Sequence, residues 1–153
     1  QPARRASLTL ALVLAAGMSA LPWLSRMARA EGKPPAFHVI VHPKSPPSSV
    51  TREFVMNAFL KKATRWPEGG AIQPVDLRFG APVREAFSKS VLGRSAAAVR
   101  NYWQQRIFTG RGVPPPEVPS DVDVIRYVRE HPGGIGYVSS QADVGAVKVL
   151  GLR

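Results

Sequence analysis

Val75–Phe87, reading VDLRFGAPVREAF, is the stretch on which the fold turns. An apolar strand, Ile72 to Leu77, runs into Arg78. Phe79, Gly80, Ala81 and Pro82 then make a turn, and a helix opens with Pro82 in its first turn and Arg84, Glu85 and Phe87 inside it. Proline suits that place because its fixed φ is already helical and its missing N–H would have been unpaired. A strand, a glycine turn and a helix start together present free N–H groups beside the positive end of the helix dipole, which favours anions. Arg78 and Arg84 flank the turn, so Arg78, Gly80 and Arg84 are the expected anion-binding residues. The competing reading leaves the two arginines in solvent or pairs them with Asp76 and Glu85.

Working outward, FHVIVH (Phe37–His42) is a β-branched and aromatic run that reads as a strand ended by Pro43. Thr51 caps an expected helix over Arg52–Lys62 whose core face carries Phe54, Val55, Ala58 and Phe59. Trp66, in the turn Thr64–Gly70, is expected to close the core, since tryptophan most often contributes buried area. The helix begun at Pro82 ends near Gly93. Ser95 caps the next, Ala96–Phe108, with Val99, Tyr102, Trp103 and Ile107 inward. Thr109–Pro119 is punctuated by glycine and proline throughout and is expected to be irregular. Ser120 and Asp123 form a capping-box-like start to a helix with Val124, Ile125 and Val128 as its stripe. Ile135–Ser139 and Ala146–Leu150 are the last strands. Helices alternating with strands in this order predict an α/β sandwich around one mixed β-sheet flanked by helices.

The 153 residues carry no cysteine and a formal charge of +11. Disulfides and thiolate metal sites are therefore excluded. Residues 1–30 read as a signal peptide: Arg4 and Arg5, an uncharged apolar run from Leu8 to Leu21, then Ala28-Arg29-Ala30 for cleavage after Ala30. A retained anchor is the alternative, but Gly17, Ser19 and Pro22 interrupt a run only as long as the shortest spans. Residues 31–36 form a flexible leader, and 37–153 the domain. Cleavage removes four of the 21 basic residues and none of the ten acidic ones, leaving +7. Such a charge favours anions, acidic partners or anionic lipid. No nucleic-acid motif is present, and the expected location is periplasmic or otherwise exported, with no stable membrane span after cleavage.

Catalysis would need a nucleophile–base set, a metal cluster or a tuned carboxylate pair. His38, His42 and His131 stand at strand or helix ends, and His38 with His42 lack a nearby carboxylate to complete a metal site. Most acids sit where helix starts want them. The chain reads as non-enzymatic, with no catalytic residue, metal or cofactor.

Several segments follow one another in a familiar order: FHVIVHPKSP (37–46), TREFVMNAFLKK (51–62), RWPEGGAIQPV (65–75), VREAFSKSVLG (83–93), YWQQRIFTGRGVPPP (102–116) and HPGGIGYVSS (131–140). Over nearly all of Phe37–Leu150 the chain resembles the second lobe of phosphate-type substrate-binding proteins of ABC transporters, which have the type II periplasmic binding protein fold. The resemblance implies a single-lobe, half-length member. It also implies phosphate or another small oxyanion as ligand, with Arg78 and Arg84 at positions where the family often has arginine. The family's Ser-Gly-Thr turn becomes Ala81-Pro82-Val83 here, which removes both hydroxyls and one N–H. The expected function is therefore an exported, phosphate-transporter-related lobe with at most weak oxyanion binding. The alternative is an interaction module of an envelope complex, with Thr109–Pro119 as its contact; a homodimer would restore a two-sided cleft.

Overall fold

The FHVIV run forms the first strand, β1 (Phe37–Val41), in a computed structural model that describes residues 36–153. The expected signal peptide and nearly all of the leader lie outside the described residues. After β1 come β2 (Ser49–Val50), α1 (Arg52–Phe59), β3 (Gln73–Pro74), β4 (Asp76–Leu77) and α2 (Pro82–Phe87). A π-helical turn, Ser88–Leu92, continues α2, followed by α3 (Ala96–Phe108), β5 (Glu117–Val118) and α4 (Asp121–Glu130). The chain closes with β6 (Gly134–Ser139), β7 (Lys148–Val149) and β8 (Gly151–Leu152).

The main sheet has four strands in the order β3-β6-β1-β7. β6 and β7 run antiparallel to β1, and β3 runs parallel to β6, so the sheet is mixed as expected. Val39, Ile40 and Val41 are all buried, as is every residue of Gly134–Val138, which means that both faces of the central strands are covered. Neighbouring strand residues point to opposite faces. Tyr137 meets Phe59 of α1 and Phe87 of α2, its ring stacked on Phe87 at 3.9 Å. Gly136 lies under Val124 and Val128 of α4, where a side chain would come within 2.6 Å of the Val124 methyl. Helices thus flank the sheet on both sides.

All three expected helix caps form. Thr51, Ser95 and Ser120 each accept from the N–H three residues on, at 3.1, 3.1 and 3.3 Å. Trp66 is buried against Phe54 and donates its indole N–H to the Gly133 carbonyl at 3.3 Å.

Several expectations need correction. The strand Ile72–Leu77 is divided between two ladders. Gln73 and Val75 donate to Gly133 and Ile135 beside β6, while Asp76 and Arg78 donate the other way, to Pro116 and Val118. Successive N–H groups of an extended strand point to opposite sides, so Gln73 and Val75 face β6 while Asp76 and Arg78 face β5; Pro74, on the β5 side, has no N–H to add to that ladder. Thr109–Pro119 contains β5, because proline carbonyls still accept although their nitrogens cannot donate. α1 ends three residues early, where Lys61 takes φ +53°. The last strand shortens to β7, and a separate parallel ladder joins β2 to β8. Ile107, expected inward, is 53% exposed because α3 runs beyond the core after Trp103.

Two glycines should respond differently to alanine. A Cβ at Gly133 would stand 1.8 Å from the Ala71 carbonyl oxygen, in backbone that cannot yield locally. Gly133→Ala is expected to cost about 3 kcal/mol, or about 10 °C in Tm. Gly93 closes the π-helical turn at φ +67° in open space, and Gly93→Ala should cost only about 1 kcal/mol. Equal shifts in thermal melts would contradict the close approach.

Candidate functional site

Asp76 is a charged residue inside an otherwise apolar strand, and it is buried. Burying a carboxylate is costly unless it is paired and hydrogen-bonded. The pairing comes from two other segments, and a third completes the cluster through Arg84. Arg84, in the first turn of α2, is 3% exposed and places Nη2 at 3.0 Å from Asp76 Oδ2. Its Nη1 donates to the Leu77 carbonyl at 2.7 Å and to Glu117 Oε1 of β5 at 2.6 Å. The Tyr137 hydroxyl donates to Asp76 Oδ1 and accepts from the Leu77 N–H at 3.4 Å. Only Arg84 Nε stays buried and unpartnered within the cluster.

Burial holds the Asp76 carboxyl above its usual range, and Arg84 opposes that shift without cancelling it. Burial alone would lower the Arg84 pKa, but Asp76 and Glu117 more than offset it, and the guanidinium holds its proton more tightly than usual. Burial and the neighbouring Asp76 charge keep the Tyr137 phenol protonated far above its ordinary pKa.

The turn above this cluster is open. Arg78, Phe79 and Gly80 are all exposed. Gly80 has φ +90° with open space where a Cβ would stand, so the left-handed backbone alone calls for glycine there. The Ala81 N–H closes the turn on the Arg78 carbonyl at 3.2 Å, and Ala81 gives α2 no side-chain cap. The Phe79 ring carries the Arg100 guanidinium 4.8 Å from its centre and that of Arg84 at 5.9 Å.

The three expected anion-binding residues therefore separate. Arg78 and Gly80 lie at the surface of the turn, whereas Arg84 is committed to internal acceptors. The competing pairing holds for Arg84 with Asp76 but not with Glu85. Glu85 instead takes the Ala96 N–H at 3.0 Å and Lys89 at 3.2 Å, and the Ala96 bond leads in lowering its pKa. Glu117 and Tyr137 were not foreseen as Arg84's companions, nor Arg100 as part of the turn. The one sequence signal was Asp76 itself, an acid in a buried strand that needs a partner. Elsewhere, His42 Nδ1 accepts from the Lys44 N–H at 3.1 Å, and His131 Nδ1 donates to the Tyr127 carbonyl at 2.7 Å. Among the described residues, no group of three or more acids and histidines is placed to hold a metal ion.

Solved structures share this arrangement of strands and helices. A phosphate ABC transporter substrate-binding protein from Clostridium perfringens, solved with bound phosphate, matches at a TM-score of 0.60 and 20% identity, over 77% of this chain and 45% of its own. An ABC-type phosphate transport receptor from Vibrio cholerae matches at 0.61 and 17%, over 77% and 46%. PstS from Borrelia burgdorferi matches at 0.60 and 12%, over 78% and 47%. The fold is a single lobe of the type II periplasmic binding protein kind. The match covers less than half of each of these structures. In sequence, no family model and no curated protein matches it.

Two measurements test the cluster. Arg84→Met leaves the buried Asp76 without its cation and should cost about 3–5 kcal/mol in denaturant unfolding. Arg78→Ala, at the exposed end of the same strand, should stay within about 0.5 kcal/mol of wild type. The pH dependence carries opposite signs. Asp76, with a raised folded pKa, contributes stability that is full below the ordinary aspartate value of 3.8 and is lost as pH rises through its folded pKa. Glu85, with a lowered one, contributes stability present above the ordinary glutamate value of 4.5 and lost as pH falls through its folded pKa. Unfolding midpoints of Asp76→Asn against pH should lack the first component and keep the second. Slopes identical to wild type would rule out the Asp76 assignment.

Proposed function

We propose that the chain is an exported, non-enzymatic binding-protein lobe of the phosphate-transporter type, with weak capture of phosphate or another small oxyanion as its remaining ligand activity. Arg78 and the Gly80 turn make the contact, and Arg84 sets their position from below. The observation that carries this reading is the commitment of Arg84 to Asp76, Glu117 and Leu77. Releasing it to a ligand would break a buried pair at a cost of about 3–5 kcal/mol. The fold shared with a phosphate-bound structure supports the choice of anion.

Affinity follows from what the turn offers. Ala81, Pro82 and Val83 supply no hydroxyl, and Pro82 supplies no N–H. Each missing hydrogen bond to a charged ligand removes about 1.5–3 kcal/mol. Arg78 lies in solvent, where its attraction is screened. A Kd of about 1 mM or weaker is expected, equivalent to roughly 4 kcal/mol of binding. Phosphate and sulfate titrations followed by NMR at the Arg78 side chain and the Gly80 amide provide the test. Saturable shifts that disappear in Arg78→Ala are the expected result. No shift at tens of millimolar anion, on the order of ten times that Kd, would remove the site. Micromolar affinity would overturn the weakness argued from the turn.

A further inference from the structure

We propose that the C-terminal end of α3 and the loop behind it form a contact for an anionic phospholipid surface. Phe108 and Ile107 would enter the headgroup layer, with a collar of lysine and arginine pairing with its phosphates. This site uses neither Arg78 nor Gly80 and stands independently of the oxyanion reading.

Three large apolar side chains lie in water here: Phe108 is 92% exposed, Val113 63% and Ile107 53%. Single exposed apolar residues are ordinary, but a local group marks an interaction surface. The loop that carries them is built rather than frayed. Gly110 N–H donates to the Ile107 carbonyl at 3.0 Å and Arg111 N–H to the Arg106 carbonyl at 2.8 Å, while Arg106 Nη2 returns to the Arg111 carbonyl at 2.9 Å. The end of α1 is fastened alongside. Lys61 Nζ donates to the Pro114 carbonyl at 3.4 Å, and the Tyr102 hydroxyl to the Leu60 carbonyl at 3.5 Å.

The charge around this tip has one sign. Gln104–Pro116 contains Arg106 and Arg111 and no acid; Phe54–Pro67 contains Lys61, Lys62 and Arg65 and no acid. Among the described residues, none of Lys61, Lys62, Arg106 and Arg111 has a carboxylate within 4.0 Å. A folded protein partner presents charges of both signs in fixed places, and protein interface cores are depleted in lysine. A convex apolar tip with a collar of unpaired cations instead suits a fluid surface of uniform negative charge. No helix among the described residues is long and apolar enough to cross a membrane, so the contact is peripheral.

The compact unit Gly32–Arg153 contains the whole described core and can be tested free of the apolar N-terminal run. Its binding to vesicles of phosphatidylcholine, with and without phosphatidylglycerol, is measured by flotation. Binding to the anionic vesicles alone, weakened by added salt, is expected. Phe108→Asp should lower it about tenfold, and Lys62→Glu and Arg111→Glu at least about fivefold each. All three sites are exposed, so circular dichroism should show an unchanged fold, and Val149→Ser, at an exposed apolar residue elsewhere, should bind as wild type. Equal binding to neutral vesicles, or undiminished binding by Phe108→Asp, would overturn the proposal. So would absence of vesicle binding alongside saturable binding of a glutamate-rich peptide at the same residues, which would assign the surface to an acidic protein.

Discussion

A single guanidinium joins four segments that are distant in sequence. Arg84 reaches β4 through Asp76 and the Leu77 carbonyl and β5 through Glu117, and Asp76 extends the connection to Tyr137 of β6. An interior ion pair is weak evidence for net stability, because the desolvation of both charges offsets their attraction. Its contribution here is to fix arrangement. A one-residue slip of β4 would turn Asp76 away from Arg84 and strand two charges in the core. The same cluster sets the height of α2 against the sheet, and with it the stack of Phe87 on Tyr137 that fills one side of the core.

That constraint explains why the turn reads as a ligand cradle in sequence and as a partly closed one in structure. The two arginines look equivalent from their spacing. One ends a strand pointing to solvent, and the other lies on the inward face of a short helix beside a buried acid. The acceptors that claim Arg84 come from Asp76 and from Glu117, thirty-three residues downstream. Only the first was near enough in sequence to be suspected.

The layering was legible because it rests on local signals. Thr51, Ser95 and Ser120 mark their helix starts by side chains that have no better use nearby. The β-branched runs of β1 and β6 could be buried only in a sheet. What sequence did not reveal depends on pairing between remote residues. The division of Gln73–Arg78 between two ladders is set by which strands arrive on each side. The β2–β8 ladder is two residues long and carries no periodicity to detect. Ile107 has the right spacing for the core, but helical phase does not say where the core ends.

The strand order also bears on how the chain acquires its structure. β1 precedes the other described strands in the chain, yet it lies inside the sheet between β6 and β7, with Phe37 opposite Ser139 and Ile40 opposite Val149. Its two edges have no partner until β6 and β7 have been synthesised. Contacts so far apart in sequence are slow to close. During synthesis FHVIV therefore waits as an unpaired apolar strand, the kind of segment that invites association with other chains. Until β6 and β7 arrive, neither edge of that strand is covered, and the order of the sheet makes its burial one of the later events of folding.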